Sequence, residues 1–133
     1  MSDVERMKYL QVVLRVLGSL FILGLWPLTV IWPSGWAWHT VGRSDYLEMI
    51  LGLYATLGVF LLLASRNPAA HLSLIRFTVW SSLVHGGIMA AQSLANREHL
   101  AHMWGDVAAL FVVAAVVAFF MPRPARGAHH LAA

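Results

Sequence analysis

Four stretches of this chain contain no Asp, Glu, Lys or Arg: residues 16–42, 49–65, 77–96 and 107–122. No other feature of the sequence limits the fold as tightly. A helix that crosses the hydrocarbon core of a bilayer needs about 20 mostly apolar residues. Each run reaches that length once its flanks are taken in, which predicts helices at about 8–32, 46–65, 71–94 and 99–121. Lipid offers no partner to a bare backbone amide or carbonyl, so each crossing has to be helical. The expected architecture is all-α: an antiparallel four-helix transmembrane bundle in one domain over 1–121, with a flexible cytoplasmic tail over 122–133. Composition agrees. The 133 residues are 59% hydrophobic and 11% charged, whereas soluble domains carry roughly 25% charged residues.

The breaks between the runs have local causes. Trp-Pro-Ser-Gly at 32–35 ends the first helix, because proline lacks an amide hydrogen and glycine permits a turn. Asn67-Pro68 separates the second helix from the third, and Asn96-Arg97-Glu98 the third from the fourth. Links this short predict antiparallel neighbours, so helices 2, 3 and 4 are expected to run up and down in a continuous series. The one long connection is about 33–45. A cleaved signal peptide does not fit the first segment. Arg15 interrupts its apolar region, and no small-x-small cleavage site follows before Trp36.

Basic residues set the expected orientation. Arg6, Lys8, Arg15, Arg66, Arg76, Arg123 and Arg126 fall to one side, and Arg43 and Arg97 to the other. The asymmetry predicts that both the N- and C-termini are cytoplasmic. Trp26, Trp32, Trp36, Trp38 and Trp104 gather toward the opposite face as an expected aromatic belt. The basic residues form no stripe that could follow a phosphate backbone, which argues against a nucleic-acid partner. With no cysteine in the chain, disulfides, thiolate metal sites and cysteine nucleophiles are excluded.

Ionisable and polar residues inside the apolar runs are the candidates for function, because lipid rejects them unless they are answered. On the third helix Thr78, Ser81, His85, Met89 and Gln92 recur at steps of three and four and share a face. On the fourth, His99, His102 and Asp106 do the same, and Glu48 opens the second. Antiparallel packing of helices 3 and 4 would bring His85 and Gln92 level with Asp106 and His102. Asp106 is therefore expected to be met by His85, with His102 or Gln92 assisting. Three roles fit this cluster: a polar clasp that fixes helix register, a ligand or proton site, or a metal site using His99, His102 and Asp106. Arg15 and Arg76 are expected to extend to the inner headgroups, with an anionic-lipid pocket as the sharper reading. Gly18, Gly24, Gly52, Gly58, Gly86 and Gly87 read as close-packing positions, and Tyr54 beside Gly58 as part of the same packing.

The pieces MILGLYATLGVFLLLASRNP, HLSLIRFTVWSSLVHGGIMAAQS and HMWGDV resemble a family of small, uncharacterised bacterial four-helix membrane proteins. The resemblance covers about residues 46–110, and the layout is loosely similar to DoxX-like proteins. It implies an integral membrane protein of bacterial origin and brings neither a reaction nor a catalytic residue. No nucleophile elbow, P-loop or dinucleotide fingerprint is present, and no cofactor is predicted. The leading expectation is a non-enzymatic binding or accessory subunit. Its expected partners are membrane lipids and a further copy or a larger membrane complex. A small proton-linked transporter is the second reading, and a metal- or quinone-linked membrane enzyme the third.

Overall fold

The computed structural model of the protein describes residues 1–38 and 44–122. Among these residues the fold is all-helical. Helix α1 spans Asp3–Leu23, α2 Leu25–Ile31, α3 Pro33–Trp36, α4 Asp45–Ala64, α5 Leu72–Ala95 and α6 Asp106–Phe120. Short 3-10 segments at Pro68–His71 and Arg97–Met103 precede α5 and α6. Three of these units are long and apolar enough to cross a membrane: Asp45–Ala64, Pro68–Ala95 and Arg97–Phe120. Helices α1 and α2 pass the same test only together, as one bent pair. The proposed tail, with Arg123 and Arg126, lies outside the described residues, as does Arg43.

Helix α1 begins earlier than the charge-free run indicates, because its start carries its own cap. The Ser2 hydroxyl accepts from the Glu5 amide at 3.2 Å, and the Glu5 carboxylate accepts from the Ser2 amide at 2.7 Å. This reciprocal pair satisfies two of the free amides at the helix start. The expected single helix over 8–32 is in fact broken, with a bend of 55° between α1 and α2. Pro27 supplies the cause: its ring nitrogen cannot bond the Leu23 carbonyl, and its ring crowds that carbonyl. The break falls at Gly24, next to it. Pro33 then opens α3, where its missing amide hydrogen would have been unpaired in any case.

Helices α4 and α5 match the sequence reading to within a residue at each end. The fourth segment does not. His99 and His102 lie on the 3-10 helix Arg97–Met103, and the α-helix starts only at Asp106. Asn96 caps the 3-10 segment by accepting from the Glu98 amide at 3.1 Å. Trp104 and Gly105 form the joint between the two segments. A Cβ on Gly105 would collide with the Gly35 backbone, so glycine is required there for α3 to lie against the start of α6.

The pairing of helices also differs from a continuous up-down series. The two extensive contacts are α1 with α4 and α5 with α6, and α1 touches α6 along a third seam. Helices α4 and α5 are consecutive yet meet only sparsely. Close approach explains the preference. Gly18 and Gly58 face each other across α1 and α4, and a Cβ on Gly18 would lie 2.7 Å from the Gly58 carbonyl oxygen. On the other pair, a Cβ on Gly86 would stand 3.2 Å from the Leu110 Cβ. Small residues let these backbones come together and gain dispersion contacts along their length. The core combines Leu10, Leu14 and Phe21 of α1 with Leu61, Ile75, Val79, Val113 and Val117. At one end of the bundle the Arg6 guanidinium donates to the Phe119 carbonyl at 2.6 Å, which ties the start of α1 to the end of α6. The opposite, distal end holds α2, α3 and the Asp106 joint.

Many large apolar side chains remain on the outside, including Leu23, Leu53, Phe77, Trp80 and Val112. Exposed apolar surface on this scale marks a partner or a membrane in contact with it.

Candidate functional site

At the distal end the chain folds inward. Residues 36–38, which follow the Pro-Ser-Gly break, bring the Trp36 and Trp38 rings between the helices. The Trp38 indole N–H donates to Asp106 Oδ2 at 2.7 Å. His102 Nδ1 lies 3.1 Å from both carboxylate oxygens. The Trp38 ring stacks on His102 with centroids 4.2 Å apart and on His99 at 4.9 Å. His102 is 2% exposed and the Asp106 side chain 12%, so this carboxylate sits in a nearly closed polar knot. Such a bond from a neutral donor to a charged acceptor is shorter and stronger than one between neutral groups.

Below the knot lies a cavity of about 140 Å³. Its walls include Phe21 of α1, Trp36 and Trp38, Tyr54 of α4, His85 and Met89 of α5, and Asp106 and Leu110 of α6. On α6 it runs from Asp106 to Val113, about 10 Å of helix at 1.5 Å per residue. A second cavity of about 340 Å³ adjoins it between the first half of α4 and the second half of α5, sharing Trp38, Leu47, Ile50, His85 and Met89 as walls. Tyr54 and His85 bridge the sparse α4–α5 seam, with the phenol oxygen 2.8 Å from His85 Nδ1. Phe21 sets its edge against the Tyr54 ring with centroids 5.2 Å apart.

The predicted pair of His85 and Asp106 is therefore replaced by two separate groupings. Asp106 is held by Trp38 and His102, and His85 by Tyr54, and all of these but His102 line the same cavity. The reason is the 3-10 segment: it delays the α-helix until Asp106, so Asp106 stands at the top of α6 and His85 lies mid-way along α5. Gln92 is exposed and borders only the outer cavity. Glu48 is exposed in the first turn of α4 and is not a wall of either cavity. His99 stacks on Trp38 with ring planes 29° apart. Among the described residues no group of three His, Asp or Glu side chains is arranged to hold a metal ion. Arg15 and Arg76 are exposed on α1 and α5. The Thr78 and Ser81 hydroxyls donate to carbonyls of their own helix, Leu74 and Thr78, rather than across to a neighbour.

A family model, described as a family of unknown function (DUF6632), matches residues 4–129. The chain belongs to that family. No curated protein and no solved structure matched it. The family match takes in every wall of the cavity and the whole polar knot, so both are built from the family's own domain. The four aromatic walls were missed in the sequence: Phe21 was not singled out, Trp36 and Trp38 read as belt tryptophans, and Tyr54 as packing. Only Trp26, Trp32 and Trp104 of the five belt candidates are strongly exposed.

Proposed function

We propose that this protein is a four-span integral membrane protein of the bacterial inner membrane, with both termini cytoplasmic, that binds a small lipid-soluble molecule between its helices. Counting the bent α1–α2 pair as one span gives four crossings. The surplus of basic residues at the Arg6 end favours that end as the cytoplasmic one. The observation that carries the binding role is the cavity. It is walled by both helix pairs, it adjoins the loosely packed α4–α5 seam, and its mostly apolar walls carry a few convergent polar groups, the usual make-up of a ligand site. A volume of about 140 Å³ is close to that of an engineered cavity, about 150 Å³, that takes up benzene. The role is non-enzymatic, that of a binding or accessory subunit. Lipids, a further copy of the chain or a larger membrane complex would cover its exposed apolar faces.

The test is direct. The protein is purified in a mild detergent, extracted with organic solvent and analysed by mass spectrometry beside Ala109→Phe, which places a ring in the cavity. The expected result is a lipid-soluble molecule present near one equivalent in the unmodified protein and absent from the variant. Identical extracts from the two proteins, with the variant folded by circular dichroism, refute the binding role.

A second reading is proton-linked transport, favoured by the presence of two ionisable groups, Asp106 and His85, on one cavity. It requires pH-driven solute flux in proteoliposomes that disappears in Asp106→Asn.

A further inference from the structure

The walls of the inner cavity have an unusual balance. Four are aromatic: Phe21, Trp36, Trp38 and Tyr54. One is a carboxylate, Asp106, and no lysine or arginine is among them. Asp106 is the only Asp, Glu, Lys or Arg bordering this cavity among the described residues. We infer that the cavity selects a cation: a lipid-soluble amine or quaternary ammonium whose charged group rests among these rings beside Asp106. The inference rests on the binding role proposed above and supplies the chemistry of its ligand.

Two physical reasons converge. Aromatic faces carry negative charge density, and a cation within about 6 Å of them is attracted more strongly when desolvated. Charges in a low-dielectric cavity interact far more strongly than in water, so a single carboxylate rejects anions and draws cations. The carboxylate is already engaged by the Trp38 indole N–H, by His102 Nδ1 at 3.1 Å from both oxygens and by the Val107 backbone N–H, so a cation is drawn by its charge and not by a free acceptor position. Of the other titratable groups nearby, Tyr54 and His85 are engaged with each other and His102 with Asp106 itself. The counter-hypothesis is internal. A protonated His102 would balance Asp106 completely and leave a cavity without charge preference.

The experiment uses the full chain in detergent micelles, with tryptophan fluorescence as readout and protein-free micelles as blank. Three probes of similar shape are compared: benzyltrimethylammonium, its neutral isostere neopentylbenzene, and benzenesulfonate. The expected result is at least tenfold tighter binding of the ammonium than of the isostere, with no binding of the sulfonate. Asp106→Asn removes that preference and leaves neopentylbenzene unchanged. Tyr54→Leu, which leaves the Asp106 contacts intact, weakens the ammonium more than the isostere. Equal binding of ammonium and isostere by the unmodified protein overturns the inference while sustaining the binding role, and so does an ammonium affinity unchanged in Asp106→Asn. Failure of all three probes to bind overturns both. Because the ratio is first measured on the unmodified protein, instability of a variant does not shield the inference.

Discussion

The bond from Trp38 to Asp106 joins residues 68 positions apart, and its removal offers the sharpest test of how the distal end is held. Trp38→Phe deletes the indole N–H but keeps an aromatic ring to stack on His102, now 4.2 Å away. At 2.7 Å the bond is at the short limit for N–H···O, as expected when the acceptor is charged. Hydrogen bonds to charged groups contribute about 1.5–3 kcal/mol net in water-soluble proteins. Interhelical bonds in membranes average about 0.6 kcal/mol and reach about 1.7, because separated helices find other partners. This bond lies near the top of that range. It ties a connecting segment to the start of α6, and a chain with its helices apart has no nearby substitute for so distant a partner. The coupling between Trp38→Phe and Asp106→Leu in a double-mutant cycle is therefore expected at about 1.5 kcal/mol, roughly tenfold in the folding equilibrium. Asp106→Asn should be milder than Asp106→Leu, since an amide oxygen still accepts, at about half the strength. The assay is reversible unfolding in mixed micelles with increasing dodecyl sulfate, followed by circular dichroism. A coupling within about 0.3 kcal/mol of zero, no larger than the usual error of additivity, would show that the bond does not hold the distal end.

Three further outcomes follow from the packing. Gly105→Ala should destabilise by about 1–3 kcal/mol, because the added methyl meets the Gly35 backbone; Gly52→Ala, where a Cβ meets nothing within 4 Å, should be neutral or stabilising by up to about 1 kcal/mol, measured in the same unfolding assay. Tyr54→Phe removes the bridge to His85 and should cost about 0.5–1.5 kcal/mol, with faster amide exchange in the middle of α4 and α5 and no change near Gly18 on α1; unchanged exchange at both helices would mean that the bridge does not close the seam.

The helical segments were legible because lipid-compatible runs and the residues that interrupt them are local signals. Asn67 and Asn96 mark boundaries that the structure keeps within a residue or two. Pro27 was equally visible but was read as part of a continuous run, since a proline among apolar residues does not announce how far the axis will turn. The pairing order was not legible. Link length argues for neighbours in sequence, yet Gly18 against Gly58 and Gly86 against Leu110 gain more from close approach than α4 gains from α5. At the site, Asp106 and His102 were found by their charge in an apolar context, and their 3.1 Å contact agrees with the spacing of four residues. The third partner could not be found that way. Trp38 reaches Asp106 only because Gly35 and Gly105 let a connecting segment press inward, and no periodicity relates position 38 to position 106. Tyr54 was hidden by its surroundings, since a tyrosine one turn from a glycine on an apolar helix is most simply packing.

The weak junction of α4 with α5, crossed at mid-height by the phenol–imidazole bridge of Tyr54 and His85, bears on how any guest would arrive. If the helices cross a bilayer as proposed, that junction opens sideways toward the acyl chains, not up into water. Guests would then be drawn from the pool already dissolved in oil, and their rank order would follow partitioning as much as fit. Rinsing the aqueous phase would strip them slowly, whereas diluting the protein into fresh lipid would empty it.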